Sequence, residues 1–268
     1  MGSGIVRGFY KGLDDIFARN DTQAAKNYIE IWLKTARANS NRELELATCN
    51  ELGGVCRVLG DQERAKQLYE RALELIIVLR LTGTDNHAVT LINAGDVYIV
   101  TGDYETALHY FLQAQQILTA IDMDGDYRMA ALCNNISMVY RYQGKLAEAE
   151  EALNRAFDII KGLPECRPEM ATTLVNLGEL QLKQQKYTMS EESFKNAIMI
   201  YEKELGGRDP HLPSAYSGLG HLYYVTGRLG ESESAYVRAL ALAEAQFGKN
   251  DAYRIISRNL DTVRKAGG

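Results

Sequence analysis

Proline is scarce in this chain, with 4 in 268 residues. That excludes a Pro-rich linker or polyproline recognition segment and suits a mostly helical fold, because each proline removes a helix hydrogen bond. Cysteine is equally sparse. Cys49, Cys56, Cys133 and Cys166 form no C-x-x-C pair, and no histidine stands at metal-ligand spacing from them. They read as reduced core thiols of a cytoplasmic protein rather than as a disulfide framework or zinc site. His87, His109, His211 and His221 are scattered and form no H-E-x-x-H. There is no G-x-x-x-x-G-K-[ST] phosphate loop and no nucleophile elbow. No apolar run reaches membrane-spanning length. There is no surplus of basic charge: with 30 Lys and Arg against 35 Asp and Glu the net charge is −5. Direct nucleic-acid binding and anionic-membrane binding both favour a basic face, so neither is expected. No cofactor is expected, and the chain reads as a non-enzyme. Asp122-Met123-Asp124-Gly125-Asp126 has the composition of a calcium loop, but Cys133 stands where the bidentate glutamate belongs. It reads as an interhelix turn with capping aspartates.

What the chain does have is a period. Gly60, Gly102, Gly144, Gln185, Gly227 and Gly268 follow one another at steps of 42, 42, 41, 42 and 41 residues. A repeat of that length signals stacked copies of one supersecondary unit. Seven places before each mark stands Gly53, Gly95, Ser137, Gly178 or Gly220, and three places after that Cys56, Tyr98, Tyr140, Gln181 or Tyr223. Beyond the mark come Ala65, Ala107, Ala149, Ser190 or Ser232. Next is Tyr69, Phe111, Leu153, Phe194 or Tyr236, and then Ala72, Ala114, Ala156, Ala197 or Ala239. Offsets of three, four and seven place these residues on one helix face. The small residues let two backbones approach, the aromatics fill the space between them, and the glycine ends the first helix.

This small–aromatic–Gly–Ala–aromatic–Ala pattern resembles the tetratricopeptide repeat, in a long 42-residue form. Glu202-Lys203-Glu204-Leu205-Gly206-Gly207-Arg208-Asp209-Pro210-His211 is similar to the linker of kinesin-light-chain-type repeats. The resemblance implies an all-α fold, a right-handed superhelix (α-solenoid) of antiparallel helix pairs. Five units are expected at about 42–82, 86–122, 126–162, 168–205 and 211–247. A degenerate helix pair over 1–41 precedes them and a capping helix over 250–265 follows, all as one continuous solenoid domain. In the first pair two registers compete: Gly12, Ala24 and Tyr28 fit one, Ala25 and Ile29 another. Trp32 fits neither and is expected to pack on the first full repeat.

The resemblance also implies that the first helix of each pair lines a concave groove. Two residues before the small position stand Asn93, Asn135, Asn176 and Asn259, with Glu51 and Gly218 as exceptions; Asn50 and Asn134 lie one place earlier. An asparagine amide both donates and accepts, so such a file could capture the backbone of an extended peptide whatever its side chains. The competing use of each amide is a bond to a neighbouring helix. Arg57, Arg141 and Lys183 could hold carboxylates, and Tyr142 and Tyr224 could pack side chains. Asp96, Glu179 and His221 share that wall. The basic residues by which chaperone-tail clamps grip a carboxylate are missing: their places hold Ala47, Val89, Ala131, Thr172 and Ser214, then Asn50, Ile92, Asn134, Val175 and Ser217.

The expected function is therefore a non-catalytic interaction module holding an extended peptide or partner segment in its groove. The alternative is a peptide-sensing regulator that changes conformation on binding. A homodimer through the end helices stays open.

Overall fold

The structure, a computed structural model, describes residues 2–19, 21–207 and 209–267; Met1, Asn20, Arg208 and Gly268 lie outside them. Among the described residues all regular structure is helical, in thirteen α-helices. The chain divides into two compact units, Met1–Asp124 and Gly125–Gly268.

The first unit holds α1 (Gly2–Phe17), α2 (Thr22–Ala38), α3 (Arg42–Val58), α4 (Gln62–Val78), α5 (Asp85–Val100) and α6 (Tyr104–Ala120). The second holds α7 (Tyr127–Tyr142), α8 (Leu146–Ile160), α9 (Arg167–Lys183), α10 (Tyr187–Met199), α11 (Leu212–Val225), α12 (Leu229–Phe247) and α13 (Asp251–Gly267). Consecutive helices pack as pairs, and within each unit the odd-numbered helices also touch one another, side by side.

Three residues separate the helices of each repeat pair, and the middle one is left-handed: Gly60, Gly102, Gly144, Gln185 and Gly227 have φ of 82°, 79°, 75°, 60° and 77°. The next residue returns its N–H to a carbonyl five places back, as Asp61 does to Cys56 and Asp103 to Tyr98, both at 2.9 Å. This Schellman closure needs a residue that tolerates positive φ, which glycine does at least cost. Asp61 and Asp103 then cap the second helix by accepting from the N–H of Arg64 and Thr106. Glu231 instead pairs with Arg228 at 2.5 Å. Asp126, from the acidic turn, caps α7 by accepting from the N–H of Arg128 at 2.9 Å.

The small–aromatic pairing is a contact. An added Cβ on Gly53 would stand 2.8 Å from the ring of Tyr69, on Gly95 2.4 Å from Phe111, on Gly178 2.9 Å from Phe194 and on Gly220 3.0 Å from Tyr236. Each ring lies flat on its partner helix where a side chain would be. Where alanine gives way to serine in the second helix, the hydroxyl donates across that contact. Ser190 bonds the Gly178 carbonyl and Ser232 that of Gly220, both at 2.7 Å.

Helix α4, in the unit expected at about 42–82, stops at Val78, and Arg80 just beyond it is left-handed at φ 58°. Helix α10 gives way at Ile200–Glu204 to a π-helical turn, followed by Gly206 and Gly207, both at φ 72°. In the first pair both registers are partly realised. Gly12 meets Tyr28 as the repeat requires, its added Cβ falling 2.2 Å from the hydroxyl, yet Ala25 and Ile29 are the fully buried residues. The reason is an aromatic cluster. Phe9 stacks on Tyr28 and meets Trp32 edge-on, at centroid distances of 6.0 and 5.9 Å. Trp32 makes its aromatic contacts with Phe9 and Tyr28 of its own pair, and it packs against the core cluster that continues through α3 and α4 of the first full repeat. All four thiols are free and buried; burial pushes Cys49 up to about 11.

Candidate functional site

In the first unit the inner residues of α3 and α5 form a tight polar layer. Asn50 Oδ1 and Arg57 Nε are buried with no hydrogen-bond partner among the described residues. Burial pushes the Asp96 carboxyl up to about 6, against the opposing pull of the Arg57 guanidinium. On the α1 side, burial holds the Tyr10 hydroxyl up at about 12 beside Glu51. The Glu51 carboxyl is itself raised, first by burial and then by Asp14. Asn93 is half-buried on α5. The net tendency of this layer is acidic, which the single arginine Arg57 does not offset.

The second unit presents a groove of about 910 Å³. Its wall is built by the inner faces of α7, α9, α11 and α13. Arg141, Tyr142, Glu179, Lys183, His221, Tyr224 and Asn259 line it, together with Leu182, Val225 and Ile255. Tyr142 is 55% exposed and Ile255 likewise 55%, so aromatic and aliphatic surface is open to a ligand. Arg141 forms an ion pair with Glu179. The Lys183 ammonium reaches over to the carbonyl of Arg141, 3.3 Å away, and has no carboxylate partner among the described residues.

The asparagine file is not a free ladder. Asn134 is buried, 6% exposed. Its amide donates to Thr173 Oγ1 at 2.9 Å and to the Ala130 carbonyl at 3.3 Å. Its Oδ1 accepts from Asn176 Nδ2 at 3.0 Å. The amide is thus spent between α7 and α9, and Asn134 is withdrawn as a ligand-facing residue. Asn176 is half-buried and commits one end to Asn134. Asn135 is half-buried on α7. Asn259 lines the groove with Tyr236. The structure thus gathers Arg141, Tyr142, Lys183 and Tyr224 on one groove, while Asn50, Arg57 and Asn93 belong to the separate inner layer of the first unit. The α13 wall, Ile255 above all, was missed by reading that helix only as a cap. Its apolar residues at three- and four-residue spacing were the available signal.

The family model described as tetratricopeptide repeat matches residues 86–162 and 169–245, and a second model of that description matches 46–76. The chain belongs to the tetratricopeptide repeat family. No characterised protein matches by sequence. Similar solved structures show the same fold. BtubC (BKLC) from P. vanneervenii is 20% identical, covering 86% of this chain and 94% of its own, with a TM-score of 0.66. The kinesin light chain TPR-like repeats of Podosopora anserina are 18% identical, covering 76% and 97%, at 0.59. NprR, solved in complex with its cognate peptide NprX, is 13% identical, covering 98% and 74%, at 0.76. The long-period resemblance to kinesin-light-chain repeats is therefore matched in structure. No helix among the described residues is long and apolar enough to cross a membrane.

Proposed function

We propose that this tetratricopeptide chain is a non-catalytic interaction module that holds an extended peptide in the groove of its second unit. The observation that carries the reading is the wall itself: an open cavity with exposed aromatic and aliphatic side chains beside a lysine that has no carboxylate partner among the described residues. Such a mixture of apolar lining and few oriented polar groups is what ligand sites share. A preformed wall reduces the ordering cost on the protein side. The asparagine contribution is narrower than a full ladder: Asn259 is among the groove-lining residues, while Asn135 and Asn176 are half-buried on α7 and α9. Asn50, Arg57 and Asn93 are assigned to a secondary polar layer of the first unit.

The test is selection of a random peptide display library on the immobilised chain, followed by direct binding of recovered peptides. Tyr142→Ala and Tyr224→Ala should each weaken binding at least fivefold without loss of helicity. Recovered peptides indifferent to both changes, or no recovered peptides, defeat the proposal.

A second reading is a peptide-sensing regulator, favoured by the likeness to NprR, a protein solved with its peptide bound. It requires compaction on binding, read as a fall in scattering radius with the selected peptide; an unchanged radius leaves the adaptor.

A further inference from the structure

A cavity of about 470 Å³ in the first unit is lined by Arg37, Ser40, Arg42, Glu45 and Arg71. Three guanidinium groups thus meet one carboxylate, in a chain whose net charge is −5. Arg37 comes from the last turn of α2 and Ser40 from the turn that follows. Arg42 and Glu45 belong to the first turn of α3, and Arg71 to α4.

Glu45 is the fixed point, only 7% exposed. Its Oε1 accepts from Nε of Arg37 at 3.1 Å and from Nε of Arg71 at 3.0 Å, and its Oε2 accepts from Nη2 of Arg71 at 3.1 Å. The matching places of the other units hold His87, Met129, Met170 and Leu212, so the repeat itself needs no acid there. A buried carboxylate carries a desolvation cost that an apolar side chain would avoid. What the acid achieves is position: two long side chains are held in one geometry. Arg42 takes no part in those bonds. It is exposed and has no carboxylate partner among the described residues. It opens α3, where the helix's own field disfavours a cation. The Nη groups of Arg37 are also without a partner among the described residues. The opposing charges nearby are Glu74, which takes Nη1 of Arg71 at 2.8 Å, and the exposed Glu43, which does not line the cavity.

We propose that this cavity binds a phosphoryl group, with Arg42 and Arg37 donating to its oxygens and with Glu45 and Arg71 as the frame that positions Arg37. Guanidinium forks match the spacing of phosphate oxygens. A phosphoryl group brings close to two negative charges and three acceptor oxygens at neutral pH, which answers two free forks better than one carboxylate does. The carrier is a small free phosphate or a phosphorylated side chain. The site shares no residue with the peptide groove and does not depend on it.

The test is a pair of phosphorus-31 NMR titrations of the full chain at low salt, one with inorganic phosphate and one with an acetylated, amidated Gly-phosphoserine-Gly tripeptide. Saturable binding is expected, and the tighter of the two probes names the carrier. The unphosphorylated tripeptide should not compete. Arg42→Ala should weaken binding at least about fivefold, and Arg37→Ala combined with Arg42→Ala at least about tenfold. Both variants should keep their helicity, because Arg71 still holds Glu45. Arg7→Ala, which removes an exposed arginine of α1 outside the cavity lining, should change nothing. Absence of saturable binding, an affinity unmoved by Arg42→Ala, or an equal loss in Arg7→Ala overturns the proposal.

Discussion

Replacing Gly95 by alanine probes the contact on which the repeat is built. The new Cβ would stand 2.4, 2.8 and 2.9 Å from Cε1, Cδ1 and Cζ of Phe111, whose ring is fully buried. Carbon atoms cannot approach so closely, so the ring or the helix must shift. Overpacking of this kind costs about 1–3 kcal/mol. Alanine recovers about 1 kcal/mol of helix propensity over glycine. The net expectation is a loss of up to about 2 kcal/mol. Gly8 is the control: it is exposed within α1 with nothing within 4 Å of an added Cβ. There the propensity gain stands alone, and Gly8→Ala should stabilise by up to about 1 kcal/mol. The third member is Phe111→Leu, which removes the clashing edge. In that background Gly95→Ala should cost little, a coupling of about 1 kcal/mol or more. Urea unfolding followed by far-ultraviolet circular dichroism reads all four proteins. The reasoning fails if Gly95→Ala is as benign as Gly8→Ala, or if Phe111→Leu leaves its cost unchanged.

Asp96 offers a pH test. Its carboxyl is raised from 3.8 to about 6, chiefly by burial, so its protonated form favours the folded state. That stabilisation is complete below about pH 4 and is lost as pH rises through about 6. Asp96→Asn should therefore stabilise by about 1–2 kcal/mol at pH 7.5 and not at all below pH 4, seen in melts across pH. Glu45 behaves oppositely. Arg71 and then Arg37 hold its carboxyl below the usual range, with the Arg71 fork at 3.0 and 3.1 Å. Its contribution is present above the ordinary carboxylate range and fades as pH falls; Glu45→Gln should cost about 1.5–3 kcal/mol at neutral pH and much less in acid. Trp32 is the single tryptophan of the chain, so Phe9→Ala should shift its emission to the red and lower stability by about 3 kcal/mol, read by fluorescence.

The repeat was legible because it is written in residue size. Gly95 and Phe111, or Gly220 and Tyr236, are sixteen residues apart in sequence and in contact in space, and small–large complementarity needs no knowledge of the fold. The left-handed turns were legible for the same reason, Gln185 included, since the period points to it without a glycine. The inner wall was less so. Asparagine spacing placed Asn134 and Asn176 on one side of their helices, but an amide has a choice of partners, and spacing does not say whether a neighbouring helix or a ligand will claim it. Asn134 was claimed by Thr173 and Asn176. The mixed register of α2 was invisible because it accompanies a cluster of three aromatic rings, Phe9, Tyr28 and Trp32, that meet only after folding. Ile255 was hidden by treating α13 as a lid rather than as one more inner helix.

The π-helical turn at Ile200–Glu204 bears on how such a chain can lengthen. One surplus residue in an α-helix would rotate everything beyond it by about a quarter-turn or more. Here the surplus is swallowed as a local bulge after Phe194 has already been seated between Gly178 and Gly218. Tyr201 within the bulge still reaches Thr172, and Glu202 still bonds Tyr216 on the next helix. The wide turn thus takes up backbone locally, between the seat of Phe194 and the start of α11 at Leu212, without breaking the contacts to the flanking helices.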